Sequence, residues 1–225
     1  MRVLASLAVV SALLVPLPAS AQAPGAPGAQ ELYHAHFVKA APGKLNDLIA
    51  AYVAMPVAAG EPKPVILRHR EGDDWDLLVL APYGKAETTV TAAVSPAVQA
   101  QYAKYRASSE RHTDSFVAGP KWSDAGTVFG AAGGVYVVSL YRAANGHRDQ
   151  LEESLKRLAA GDGPGRSVTL SHVEGGPFDF LQISHYDSWN DIDAPVAGQA
   201  PMAQAMDLRQ HMAEHHDTVC VRVVN

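Results

Sequence analysis

The sequence predicts an α+β protein made of two copies of one β-α-β-β-α-β unit, with the two sheets packed against each other. Three observations predict it. First, Val65 to Tyr83, VILRHREGDDWDLLVLAPY, has apolar residues at alternate positions, a Gly-Asp-Asp turn and a second apolar run, the pattern of a β-hairpin. Second, the stretch returns without insertion or deletion at Val168 to Tyr186, VTLSHVEGGPFDFLQISHY. Third, one offset, 136 − 33 = 103, relates residues far outside the hairpin. It takes Tyr33 to Tyr136, Gly43 to Gly146, Leu48 to Leu151, Gly60 to Gly163, Arg106 to Arg209, His112 to His215 and Asp114 to Asp217. Self-similarity at a fixed spacing is the mark of a duplicated unit.

The elements follow in order. Met1 to Ala21 reads as a secretory signal: Arg2, an apolar run from Val3 to Leu17, then the small-residue site Ala19-Ser20-Ala21. Residues 22–31 are a Pro/Gly/Ala tether without charge until Glu31. The first repeat spans residues 32–119. Tyr33, Ala35 and Phe37 alternate with His34, His36 and Val38 on a first strand. Lys44 to Met55 is an amphipathic helix, with Leu45, Leu48, Ile49, Tyr52 and Val53 on one stripe. The hairpin follows, with Val65, Leu67, Leu77 and Val79 expected on one face and Ile66, Leu78 and Leu80 on the other. Ser95-Pro96 is an N-cap followed by proline at the first helical position, which starts a second helix running to about His112. Asp114 to Ala118 closes the unit as a short strand. Residues 120–134, PKWSDAGTVFGAAGG, are the linker, and the second repeat spans residues 135–225.

Both faces of the hairpin strands are apolar, so a lone sheet with helices on one side would leave its other face bare. Two copies in one chain can cover each other. This arrangement resembles the dimeric α/β-barrel superfamily in a tandem-fused form: two ferredoxin-like repeats packed sheet-to-sheet as a pseudo-dimeric α/β barrel. The resemblance covers Tyr33 to the C-terminus. It rests on the element order and on His185 to Asp193, HYDSWNDID, similar to a strand-then-tryptophan stretch of that superfamily. The first copy departs from it, with Ala86 in place of Trp189. Members of the superfamily include monooxygenases of antibiotic biosynthesis, haem-degrading enzymes, isomerases, lyases and stress-induced proteins, so the fold selects no single function.

Composition excludes several classes. The net charge is −5 with no basic run, which disfavours nucleic acid and anionic membrane surfaces as partners. Cys220 is the sole cysteine, so no disulfide forms within the chain, and its setting, VCVRVV, suits a buried apolar residue. No P-loop, dinucleotide fingerprint, nucleophile elbow or haem-attachment motif occurs.

The candidates for chemistry are histidines and carboxylates. His69 and His172 obey the repeat and lie among aliphatics, expected opposite Leu77 and Phe180; each is either a satisfied core histidine or a proton carrier at a cavity. His112 and His215 fall on the buried stripe of the second helix, with Asp114 and Asp217 two residues on. A carboxylate there would fix the imidazole tautomer for a base or ligand; the alternative is a helix-end histidine favoured by the dipole. His211 and His215 stand at i, i+4, the spacing of a helical metal site. His34 and His36 share one strand face, where the second copy has Val137 and Ser139, and read either as cofactor-binding residues or as polar residues of an edge strand. Tyr33 and Tyr136 could hold an anionic ligand or pack.

Together these give an exported protein, periplasmic or secreted, without a stable membrane anchor. It is expected to be a monomer with an internal pseudo-two-fold, binding a small apolar molecule between its sheets. The alternative is a monooxygenase-like or haem-handling enzyme that uses a cavity histidine. Expressed with its leader in a bacterial host, the protein should accumulate with Gln22 as its first residue. N-terminal sequencing of the recovered chain checks this, and a retained Met1 would refute the leader.

Overall fold

The structure, a computed structural model, describes residues 30–57, 60–84, 96–160, 165–192 and 201–223, with the side chains of 84 and 201–205 left aside. The leader, most of the tether, Gly163, Ala86, Ser95 and Asp193 lie outside the described residues.

The first unit comprises β1 (Glu31–Ala40), α1 (Leu45–Val53), β2 (Val65–Glu71), β3 (Leu77–Gly84), α2 (Pro96–Ser108) and β4 (Ser109–Gly119). A short α3 (Gly126–Phe129) lies in the linker. The second unit repeats the order with β5 (Val135–Ala143), α4 (Arg148–Ala159), β6 (Gly165–Glu174), β7 (Phe180–Tyr186), α5 (Pro201–His211) and β8 (Met212–Arg222). The two sheets meet as expected, and their edges also join. The strands close into one antiparallel barrel in the order β1-β3-β2-β8-β5-β7-β6-β4. The seams between the halves are β2–β8 and β4–β6. Closure satisfies the backbone groups that each half alone would leave bare at its edges.

Alternation along each strand divides the apolar residues between two layers. Tyr33, Ala35, Phe37, Val65, Leu67, Leu78 and Leu80 point into the barrel, where they meet Tyr136, Val138, Leu170, Leu181, Ile183 and Cys220. Val38, Ala40, Ile66, Leu77 and Val79 point outward, under Leu48 of α1 and Tyr105 of α2. Tyr141, Phe180, Leu151 and Leu155 form the equivalent outer layer of the second half. Among the described residues, no helix is long and apolar enough to cross a membrane.

Two expectations change. The hairpin pairs Val65 with Leu80 and Leu67 with Leu78, so Leu77 and Val79 take the outer face. His69 therefore opposes Asp76, and its amide donates to the Asp76 carbonyl at 2.9 Å; His172 likewise opposes Asp179 at 2.8 Å. The pairing is shifted by one residue from that of the three-residue turn expected. Trp75 folds inward, and Asp76 is held by β1: its amide donates to Val38 O at 2.9 Å. Its carboxylate accepts from the Ala40 amide at 2.8 Å. Asp179 repeats both bonds with Tyr141 and Ala143. A one-residue register change flips every side chain on the strand.

The second correction moves two histidines from helix to strand. β4 pairs with β1 from Ser109 onward, and β8 pairs with β5 from Met212 onward. The chain must already be extended there to satisfy the carbonyls and amides of β1 and β5. His112 and His215 thus stand on strands.

The linker packs against both halves. Tyr33 donates its hydroxyl to Pro120 O, and Tyr136 donates to Ala131 O at 2.8 Å. Arg222 donates to Phe129 O and to Ala131 O. The rings of Trp122 and Phe129 pack on Tyr33 at 5.9 and 6.0 Å, so the linker covers one end of the barrel. The repeated tyrosines are packing residues.

Gly72 and Gly175 obey the repeat for a steric reason. Gly175 has φ +107 and lies on β4, where a Cβ would strike the Asp114 carbonyl and the Ser115 Cα. Gly43, at φ +75, has open space around it. Gly43→Ala should cost about 1 kcal/mol of stability from the left-handed backbone alone. Gly175→Ala should cost roughly 3 kcal/mol or more, strain and overlap together. Urea unfolding of both variants measures the difference; equal costs would show that β4 yields freely.

Candidate functional site

β1 runs between β3 and β4, so it is an interior strand of the closed barrel and not an edge. Its period of two puts His34 and His36 on the outer face, toward α1 and α2. On β4, Asp114 lies directly opposite His36, and Phe116 opposite His34. This register brings the two imidazoles onto one carboxylate. Asp114 Oδ1 is 2.7 Å from His34 Nε2 and 2.5 Å from His36 Nδ1. An ionised carboxylate only accepts, so both ring nitrogens carry hydrogen and donate. His36 Nε2 is then the acceptor for the Tyr105 hydroxyl at 3.0 Å. His34 stacks on Phe116 with ring centroids 5.3 Å apart. His112 adds a third imidazole, with Nε2 3.4 Å from Asp114 Oδ2.

Above this group is a cleft of about 210 Å³, lined by His34, His36, Tyr52, Met55, Pro64, Val79, Ala81, Tyr102 and Tyr105. Most of the wall is apolar or aromatic, and the polar atoms gather at the histidine end. The Tyr52 hydroxyl, carried by α1, is buried and has no hydrogen-bond partner among the described residues. Burial foremost, with the Tyr105 hydroxyl beside it, holds the Tyr52 phenol far above its ordinary range. An orphaned buried hydroxyl facing a cleft is a donor waiting for an acceptor.

Burial alone would raise the Asp114 carboxyl, but the hydrogen bonds from His36 and His34 outweigh it and hold it below the ordinary carboxylate value. Burial lowers His36, against the opposing pull of Asp114. Asp114 therefore rests as a carboxylate beside a neutral His36.

The second half has the same frame without the group. Ser139 stands in place of His36 and donates to Asp217 at 2.5 Å. His215 Nε2 meets Asp217 at 2.8 Å, with its ring stacked on Tyr141 at 4.6 Å. Leu155 and Leu208 stand where the first half has Tyr52 and Tyr105. The sequence separated His34 and His36 from Asp114 and placed Tyr52 on a helix stripe. The missed signal was the difference between copies at matched positions: His34, His36, Tyr52 and Tyr105 against Val137, Ser139, Leu155 and Leu208.

The remaining candidates go elsewhere. His69 and His172 line the barrel interior, on the opposite face of the sheets from His34 and His36. Their rings pack against Trp75 at 5.8 Å and Phe178 at 5.2 Å, and both Nε2 atoms are buried without a partner among the described residues. His211 and His215 do not share a helical face, because α5 ends at His211 and β8 follows. His211 instead meets His147, with Nδ1 atoms 3.0 Å apart. Burial pushes the Cys220 thiol well up, as expected of an inert core residue.

No family model matches the chain, and no curated protein matches it in sequence. Solved structures match it throughout. A proposed monooxygenase of Fusobacterium nucleatum shares 8% identity at a TM-score of 0.65, covering 88% of this chain and 94% of that one. A proposed monooxygenase of Lactobacillus acidophilus shares 8% at 0.60, over 86% and 94%. An anthrone oxidase-like protein shares 16% at 0.56, over 87% and 92%. At such identities the likeness establishes the fold alone: two β-α-β-β-α-β units closed into one barrel within one chain.

The electrostatics give a signed pH dependence. His36 is held below its ordinary 6.5, so as pH falls the unfolded chain takes up its proton before the folded one does. The stability contributed by neutral His36 is full above about 6.5 and is lost as pH drops through the interval below it. The depressed Asp114 contributes above its ordinary 3.8 and loses that only at lower pH. In chelator-containing buffer, Tm should fall between about pH 7 and about pH 5, and His36→Gln should flatten that slope. A slope unchanged in His36→Gln would place its origin elsewhere.

Proposed function

We propose that the protein is an oxygenase-like enzyme that takes a small, largely apolar ring compound with an acidic proton. The site is the outer cleft of its first half. The observation that carries this is the convergence of His34, His36, Asp114, Tyr105 and the orphaned Tyr52 hydroxyl at one end of an apolar cleft. Few, well-placed polar groups on an apolar wall are the usual design of a small-molecule site. Asp114 orients His34 through Nε2, and the ring's other nitrogen accepts the substrate proton. Tyr52 donates to the oxygen on which negative charge gathers. The names of the structural neighbours, monooxygenase and anthrone oxidase-like, support dioxygen as co-substrate.

This reading places the chemistry outside the barrel rather than between the sheets. Haem does not fit the cleft: a volume of about 210 Å³ takes a small ring compound but not a tetrapyrrole macrocycle. The rings of Tyr52, Tyr105 and His112 also surround His36 at 6.0, 5.5 and 5.0 Å. The leader at residues 1–21 supports a periplasmic or secreted setting, and closure of the barrel within one chain supports a monomer.

The test is dioxygen uptake by the purified mature chain with a panel of anthrones and phenols. Tyr52→Phe and Asp114→Asn should each lower kcat/KM at least tenfold, about 1.4 kcal/mol of transition-state stabilisation. Asp217→Asn, the matching change in the second half, should leave it unaltered. Equal losses in Asp114→Asn and Asp217→Asn would defeat the assignment to the first half.

A further inference from the structure

We propose that His34, His36 and Asp114 form a binding site for one divalent first-row transition-metal ion. The inference rests on reading the cleft as the functional site, but not on proton transfer by His34. Two imidazole nitrogens and a carboxylate oxygen lie within 4.8 Å of one another. Two imidazoles with one carboxylate is a donor set for iron(II), cobalt(II) or zinc(II) rather than for calcium or magnesium, which favour oxygen.

The geometry is close to what such an ion requires. Metal–ligand bonds of about 2.0–2.2 Å put donor atoms roughly 3.0–3.5 Å apart. Here they stand at 2.7 and 2.5 Å around one oxygen, so an opening of under about one ångström admits the ion. A ring frees its donor nitrogen by carrying its hydrogen on the nitrogen facing away. For His36 that nitrogen is Nε2, 3.0 Å from Tyr105 Oη, which can accept it. A ligand histidine commonly has its second nitrogen held this way. The stacking of His34 on Phe116 fixes the other ring. His112, 3.4 Å from the second Asp114 oxygen, is within reach as a further donor. Both ligand histidines line the cleft, so the coordination positions that they leave open face it.

The second half supplies a control inside the same molecule. It keeps the carboxylate as Asp217, but Val137 and Ser139 replace the two histidines, and Ser139 donates to Asp217 instead. A chance gathering of polar residues has no reason to bond both extra imidazoles to one carboxylate in one copy.

The experiment uses the full mature chain stripped with chelator, titrated with cobalt(II) by visible d–d absorption and with zinc(II) by calorimetry. One equivalent should bind per chain. His34→Gln and Asp114→Asn should each weaken binding at least tenfold, while Asp217→Asn and His211→Gln should leave it unchanged. Should His34→Gln fail to fold, paramagnetically shifted imidazole protons in cobalt-loaded wild type identify the ligands without any substitution. Absence of a saturable cobalt spectrum overturns the proposal, as does a spectrum lost in His211→Gln but kept in His34→Gln. Metal binding without dioxygen uptake sustains the site and removes the enzymatic reading. Dioxygen uptake by stripped protein with no cobalt spectrum does the reverse.

Discussion

Closure of the barrel is the constraint from which the rest follows. Each half presents two edge strands, and the pairing of β2 with β8 and of β4 with β6 leaves none of the four bare. Closure also fixes where the apolar side chains go. One face of every strand is enclosed, the other is covered by helices, and a change of register anywhere would expose a whole row. Asp76 and Asp179 enforce that register by tying each hairpin loop back to the first strand of its own half. Gly72 and Gly175 do so across the seams, where the turn of one half rests on the last strand of the other.

The candidate site borrows this rigidity. Asp114 is on β4, braced on one side by β1 and on the other by β6 and the Gly175 turn. The Gly176 amide donates to Ser115 Oγ at 2.8 Å, one residue from the carboxylate. The strand that orients two imidazoles is therefore held by the half that has none of the cleft tyrosines. One copy contributes the reactive groups and the other stiffens them. Side chains placed on strands hold geometry better than side chains placed on loops.

Much of the fold was legible in the sequence because period and repetition are properties of the chain itself. The alternation at Tyr33 to Val38, the stripe at Leu45 to Val53 and the constant offset placed most elements, and the need to cover two apolar sheet faces implied the pairing of halves. What was not legible depended on tertiary competition. The helix ending at Ser108 could not be read, because local propensity continues while the demand of β1 for a partner stops it. The hairpin register could not be read, because Trp75 turns inward and Asp76 answers to a distant strand. The site was half visible: His34 and His36 stood out by type, and Asp114 by repetition. Their meeting needed the β1–β4 register, which no local pattern reports. Tyr52 and Tyr105 read as packing because a helix stripe looks the same whether it covers a core or walls a cleft.

The linker carries a consequence beyond tethering. In a barrel assembled from two identical chains, each substitution is made twice, so a new side chain must suit both sites at once. Here Tyr33 and Tyr136 descend from one position, yet they grip the same segment at different carbonyls, Pro120 and Ala131, and only Tyr33 packs on Trp122. A single strap lying across a two-fold relation cannot obey it. Once the strap existed, the two descendants no longer shared an environment, and each could change without its twin. The half that pairs His34 and His36 with Asp114, and the half that has Val137 and Ser139 instead, are the record of that released symmetry.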